Sequence, residues 1–334
     1  VGNDRRRNLG SHAGGRGETS PRTFGTALTV ATAMARWGMT FPLPGVALAH
    51  HRDWLRELAD LGYTDLWTAE VSGADAFTPL AAASACVADL RLGTAIASVF
   101  NRGPSLLAME AAALAELAPG RFVLGIGSSS PKIVEDWNDG AYRLPFARTR
   151  DTLHFLRRVF AGERITDSFE SFSIDGFSLD RAPQVPPPIF VAALRSRMLK
   201  LAGEQADGVL LGLVTPADVR YSLGFLGSAG REQEVVLRIG VIETDDVPAA
   251  REQARRIAAA YLNVPAYAAL HRWLGREDLL APLWRAWSAG DRRTALAAVP
   301  DELVDSLFIY GTPGECRERV EEFVEAGVTT PILS

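Results

Sequence analysis

The chain has 334 residues, 47% of them hydrophobic and 22% charged, with a formal net charge of −5. That is enough for one large α/β barrel or two ordinary domains around a sizeable core. The acidic balance excludes a nucleic-acid surface as the default partner, so an anionic ligand must be met by local positive charge or backbone donors. No apolar run approaches the roughly 20 residues of a membrane span.

The first 36 residues differ from the rest. Arg5-Arg6-Arg7 precedes a Gly/Ser/Arg/Thr stretch and an apolar run that ends at Ala33-Met34-Ala35. Two readings stay open, a twin-arginine export signal or an extension outside the fold with Met34 or Met39 as the natural start. The apolar part is weak and far behind the arginines. The expected division is therefore an extension over 1–36 and a barrel domain over 37–334. Cys86 and Cys316 are far apart, with no second Cys or His at ligand spacing. They point to free thiols in a reducing compartment, the cytoplasm, and to no metal.

From Gly38 the chain alternates short β-branched runs with amphipathic helices. Gly38–Leu43 is a first strand and turn, followed by a helix over Arg52–Asp60. Tyr63–Glu70 is the second strand and Thr78–Ala88 its helix; Leu90–Ala97 is the third, with a helix over Ser105–Leu117. Arg121–Gly127 is the fourth, with a helix near Ala147–Phe160. In Ser171–Leu179 the Asp175-Gly176 pair lies between alternating apolar residues, which predicts a small inserted hairpin. Ile189–Ala193, Gly208–Gly212, Val235–Glu243 and Val328–Leu333 complete eight strands, with a helix over Ser196–Glu204. Tyr261–Ser306, with Trp273, Trp284 and Trp287, is an extra helical segment before the last strand. The chain stops at Ser334, so the closing helix is expected to be missing or the record truncated.

Eight strands alternating with helices argue for parallel pairing, and a closed (β/α)8 TIM barrel is the simplest solution at this size. A doubly wound open sheet would need a glycine fingerprint after the first strand. "GMTFPLPG" does not supply one.

In such a barrel the chemistry collects where strands end. Those ends hold no Ser/His/Asp set, no metal-ligand cluster and no pair of acids at fixed spacing. His50 and His51 read as exposed or capping residues at the first helix. A site this poor in acid–base groups is what a cofactor carrying its own chemistry allows. At Gly127-Ser128-Ser129-Ser130-Pro131-Lys132 glycine permits close approach and the serines supply donors. Pro131 suits the first position of a helix whose start, with Lys132, could take an anion. A capped turn is the equal alternative. Leu194-Arg195-Ser196-Arg197 opens a helix between two arginines, again either an anion site or an N-cap with solvated charges. Glu70 ends the second strand. It could exchange protons with a raised pKa, position a ligand, or pair with an arginine such as Arg102.

The segments "LGYTDLWTAEVSGADAFTPLA", "RLGTAIASVFNRGPSLLAMEAAALAELAPGRFVLGIGSSSPKIVEDWN" and "GTPGECRERVEEFVEAGVTTPILS" resemble, in order and spacing, the luciferase-like monooxygenase superfamily and within it the F420-dependent oxidoreductases. The resemblance runs from about Gly38 to Ser334. It implies a luciferase-like TIM barrel that binds a flavin-type ring at its mouth, and usually a homodimer. It also implies a bulged third strand with a non-prolyl cis peptide, mapping to Ala95–Ile96, behind the ring. The implied cofactor is coenzyme F420, a 5-deazaflavin that transfers hydride to or from an organic substrate. Gly127–Ser130 would line the ring and Leu194–Arg197 would hold the phosphate, with Arg102, Lys132, Arg195 and Arg197 as counter-charges to its acidic tail. Several F420 enzymes carry Asp-His at the end of the second strand. Here Ala69-Glu70 stands there, which leaves Glu70 as the catalytic candidate. An FMN-dependent monooxygenase fed by a partner reductase, and a flavin-binding barrel without turnover, are the alternatives.

Overall fold

A short strand can return to a parallel neighbour only through a crossover, and here amphipathic helices supply it. A computed structural model describes residues 36–227 and 233–334. Its eight parallel strands are Gly38–Phe41, Asp65–Thr68, Arg91–Thr94 with its continuation Ala97–Ser98, Phe122–Gly127, Ile189–Ala192, Gly208–Gly212, Glu234–Glu243 and Thr330–Leu333. They follow sequence order around a closed ring, the first paired with the eighth and the seventh with the sixth and eighth. Closure removes the exposed edges that an open sheet would leave. The fold is the expected TIM barrel. Among the described residues no helix is long and apolar enough to cross a membrane.

Most of the extension expected over 1–36 lies outside the described residues. Arg36 does not: its Nε donates to Asp65 at 2.9 Å, so it belongs to the barrel.

The helical segment before the last strand is present but longer than expected. It begins at Val247 with helix Val247–Leu262 and continues through Pro265–Trp273, Glu277–Ser288, Arg292–Ala297 and Asp301–Leu307. A short strand, Phe308–Gly311, then runs along the far half of the seventh strand, with Gly240 beside Phe308. Four residues directly after a helix carry too little alternation to show as a strand in sequence. The inserted hairpin pairs Ile165–Ser168 with Ser173–Phe177, but its tip is at Phe169–Phe172 and not at Asp175-Gly176. Phe169 and Phe172 reach Phe155 edge-on, and that packing sets the tip. Gly176, at φ 70°, serves the bulge inside the second hairpin strand.

The barrel interior is layered. At its base Asp65, fully buried, accepts from Arg36 and Arg91, and Arg91 reaches Glu234 at 2.8 Å. Burial pushes the Glu234 carboxyl up, but hydrogen bonding and charge from Arg91 outweigh it and hold it below the ordinary range. Above this layer Trp67 fills the centre against Val123, Phe190, Leu210, Val236 and Ile332. Gly93 on the adjacent strand is required there, because a Cβ would run into the Trp67 ring.

The insertion is clamped to the barrel by a buried polar cluster. Arg276 donates to Asp218 at 2.8 Å and to His271 Nδ1 at 3.2 Å. His271 has no exposed surface and its Nε2 lacks a hydrogen-bond partner in good geometry. Burial first, then the Arg276 charge, lowers its pKa from 6.5 to about 4. Between those values the unfolded chain binds a proton that the folded chain refuses, so stability falls as pH falls through that window. Chemical denaturation from pH 7 to 4 should show a loss on the order of 3 kcal/mol that His271→Asn removes. An unchanged pH slope in that variant would contradict the clamp.

Candidate active site at the barrel mouth

The third strand breaks before the mouth. Arg91–Thr94 and Ala97–Ser98 are separate paired segments, and the Ala95–Ile96 peptide between them is cis, where the family resemblance maps it. Thr94 holds this break against the fourth strand: its Oγ1 donates to the Gly125 carbonyl at 2.7 Å and accepts from the Gly125 N–H at 2.9 Å. A Cβ on Gly125 would run into the Thr94 carbonyl, so only glycine permits this approach. Ala95, Ile96 and Ala192 lie half-buried on the Trp67–Phe190–Leu210 layer. One residue further, a Cβ on Gly127 would stand 3.0 Å from Ala192 Cβ and 3.2 Å from Ile96. Ala95, Ile96, Gly127 and Ala192 thus adjoin in a partly buried ledge spanning the third to fifth strands.

Ser128, Ser129 and Ser130 continue from that ledge, all half-buried, with Ser129 at φ 58°. Ser128 Oγ accepts from the Tyr142 hydroxyl at 3.2 Å, and the Tyr142 ring lies 4.8 Å from that of Phe100. Burial raises the Tyr142 pKa, partly offset by the Ser128 hydrogen bond and the nearby Arg195 charge. Of the two readings left open for this loop, the anion-binding helix start is not formed. Pro131 leads only into a single wide turn, Lys132–Asp136, and the Lys132 ammonium meets Asp136 at 2.7 Å on the surface. A lysine already paired i, i+4 in solvent adds little local charge.

The second candidate helix start is formed. Helix Ser196–Gln205 begins directly after the fifth strand, and Arg195 supplies no side-chain cap. Met198 and Leu199 N–H both bond the Arg195 carbonyl, which leaves the Ser196 and Arg197 amides as the helix's open donors. Leu194 is half-buried beside them, and Arg195 and Arg197 are exposed, Arg197 over the Phe146 ring at 3.7 Å.

Glu70 is engaged. Arg102 Nη1 donates to it at 2.6 Å, and the Ser98 and Ala76 N–H groups approach it at 3.3 and 3.4 Å. Arg102 also holds Glu110 at 2.6 Å and covers the Phe77 ring at 5.0 Å. Of the three roles open to Glu70, the structure contains the pairing with Arg102. This also removes Arg102 from the free counter-charges, since two carboxylates occupy it. His51, read as exposed or capping, is instead buried, donating to the Ala47 carbonyl and accepting from the Leu43 N–H.

One residue of the mouth escaped the sequence reading. Glu234 and Val236 face the barrel interior, and period-2 alternation puts Arg238 on the same face one layer higher. The signal lay in "EVVLRIG", where two charges share a face with Val236; it is masked because the opposite face is also apolar. Among the described residues no group of His, Cys, Asp and Glu could hold a metal ion.

The family model described as luciferase-like monooxygenase matches residues 24–330. A Mycobacterium tuberculosis protein named for coenzyme F420-dependent oxidoreductase activity is 28% identical, covering 85% of this chain and 90% of its own. The structure of the coenzyme F420-dependent tetrahydromethanopterin reductase of Methanopyrus kandleri superposes with a TM-score of 0.73 at 21% identity, covering 90% of this chain and 94% of that one. The oxygenating constituent of 3,6-diketocamphane monooxygenase of Pseudomonas putida, in complex with FMN, superposes with a TM-score of 0.61 at 18% identity over 90% and 91% of the two chains. A match over most of the length, on a barrel with this mouth, is decisive: the chain belongs to the luciferase-like monooxygenase family.

Proposed function

We propose that this oxidoreductase uses coenzyme F420 and moves a hydride between the deazaflavin ring and an organic substrate at the barrel mouth. The observation that carries the reading is the ledge built by Thr94, Ala95, Ile96, Gly125 and Gly127, together with similarity to proteins named for F420. The ledge fits a flat ring, because Ala95 and Ala192 carry only methyl side chains and Gly127, packed too closely against Ala192 and Ile96 to carry a Cβ, raises none above them. Bound F420 would supply the hydride-transferring ring, so the protein need not supply a nucleophile or a metal.

The chain's own residues then bind and orient. Ala95 and Ile96 support the ring, and Gly127 and Ser128–Ser130 border it, with Tyr142 keeping the Ser128 hydroxyl in place. Ser196 and Arg197 offer open amides to the cofactor phosphate, Leu194 packs beside it, and Arg195 and Arg197 add charge. Glu70 is assigned a positioning role, because its carboxylate ties Arg102 to the Ser98 amide just beyond the ledge.

Separate titrations with F420 and FMN, followed by ring absorbance and tryptophan fluorescence, test the reading. Tight F420 and weak FMN binding is the expected result. Preference for FMN would support the reductase-fed monooxygenase instead. F420 binding without oxidation of its reduced form by any substrate would leave a non-catalytic barrel.

Two further outcomes follow from the same geometry. Arg102→Met leaves Glu70 and Glu110 as uncompensated neighbours and should cost about 3 kcal/mol or more in chemical denaturation. Glu70→Gln should cost less and keep F420 affinity within a few-fold; loss of affinity with unchanged stability would return Glu70 to direct contact with the ligand. We also propose a homodimer. Helix Pro104–Leu117 is apolar on both faces, and its outer face exposes Leu106, Met109 and Leu117 by 46, 48 and 56%. An apolar patch of this kind on a soluble barrel calls for a partner. Sedimentation should show a dimer that Leu106→Glu/Met109→Glu converts to monomer; a monomeric wild type would contradict this.

A further inference from the structure

Arg238 and Tyr267 both stand beside Gly212, at a part of the mouth that the cofactor site does not use. Arg238 pairs in register with Gly212 of the sixth strand and Ile332 of the eighth. Its neighbours Leu237 and Ile239 are buried at 1 and 2%, whereas Arg238 is exposed, into the open mouth. Gly212 has no side chain, and Tyr267 of the insertion fills that place: a Cβ on Gly212 would stand 3.3 Å from the Tyr267 hydroxyl. Among the described residues neither the guanidinium nor the phenol has a hydrogen-bond or ion-pair partner, yet the Arg238 charge acts on the phenol.

Two other partly buried arginines are matched. Arg91 is neutralised by Asp65 and Glu234, and Arg102 by Glu70 and Glu110. Among the described residues Arg238 has no ion-pair partner. In the strand ring the seventh strand stands four positions from the third in either direction, so Arg238 lies across the barrel from the Ala95–Ile96 ledge. A molecule resting on that ledge leaves its exposed face toward Arg238 and Tyr267.

We propose that Arg238 and Tyr267 form a receptor for a carboxylate on the organic substrate, which they hold across the mouth from the ledge. This rests on the cofactor reading above and assigns the substrate class of that same site. The guanidinium offers two parallel N–H donors and one positive charge, the pattern a planar carboxylate accepts. The phenol adds one O–H donor. Burial, reinforced by Tyr261, pushes Tyr267 up to about 12, so it remains a neutral donor at physiological pH. A doubly charged phosphate would leave one charge unmatched here.

Isothermal titration calorimetry of the full chain with benzoate, its neutral isostere benzamide, and phenyl phosphate tests the receptor. Wild type should bind benzoate at least about tenfold more tightly than benzamide, the factor a charge-assisted hydrogen bond supplies. Arg238→Gln should abolish that preference, Arg238→Lys should keep part of it, and Tyr267→Phe should weaken benzoate while leaving it preferred over benzamide. Equal binding of benzoate and benzamide, no benzoate binding, or an unchanged preference in Arg238→Gln would overturn the receptor. Tighter binding of phenyl phosphate than of benzoate would overturn the carboxylate class. F420 titration of the same samples separates the two claims. Wild type that prefers benzoate but does not bind F420 keeps the receptor and loses the cofactor reading. Wild type that binds F420 without a charge preference does the reverse.

Discussion

The mouth of this barrel depends on one close contact, the hydrogen-bonded clasp between Thr94 and Gly125. The clasp brings the third strand so near the fourth that no side chain fits between them, and so glycine is obligatory at position 125. With the break at Ala95–Ile96 pinned there, the small residues of three strands line up as a continuous surface on the Trp67 layer. The clasp is buried and uncharged, and both of its backbone groups are satisfied. It can therefore hold its geometry without the titration or solvent screening that would disturb an ion pair.

The charges obey a complementary rule. The partly or fully buried carboxylates around the barrel are matched with arginines, Asp65 and Glu234 inside its base and Glu70 with Glu110, on the outer helix, beside the ledge. Burying a carboxylate without a partner would cost several kcal/mol. Matching them has a second effect: it clears negative potential from the mouth of a chain whose formal charge is −5. Arg195, Arg197 and Arg238 then present cations around one opening, a local field that favours anionic ligands in an otherwise acidic protein.

Much of this was legible in the sequence. Each barrel strand announced itself as a short β-branched run before a turn, and "RLGTAIAS" and "GIGSSS" marked the two ends that build the ledge. What escaped had physical causes. Phe308–Gly311 is too short to show a period between two helices. The Asp175-Gly176 turn signal lost to aromatic packing of Phe169 and Phe172 on Phe155. Lys132 read as site charge because its partner Asp136 lies on a turn of unusual pitch. The occupancy of Glu70 by Arg102 joins residues 32 apart in sequence, and although that arginine was a named alternative, only the fold could select it. Arg238 stayed hidden because a barrel strand is apolar on both faces, so one inward cation breaks no visible pattern.

The most direct test is a crystal structure of the protein with F420 bound. The account predicts the deazaflavin ring on Ala95–Ile96 with its phosphate at the Ser196 and Arg197 amides, and an open space between the ring and Arg238. A ring placed against Arg238, or outside the mouth, would contradict it.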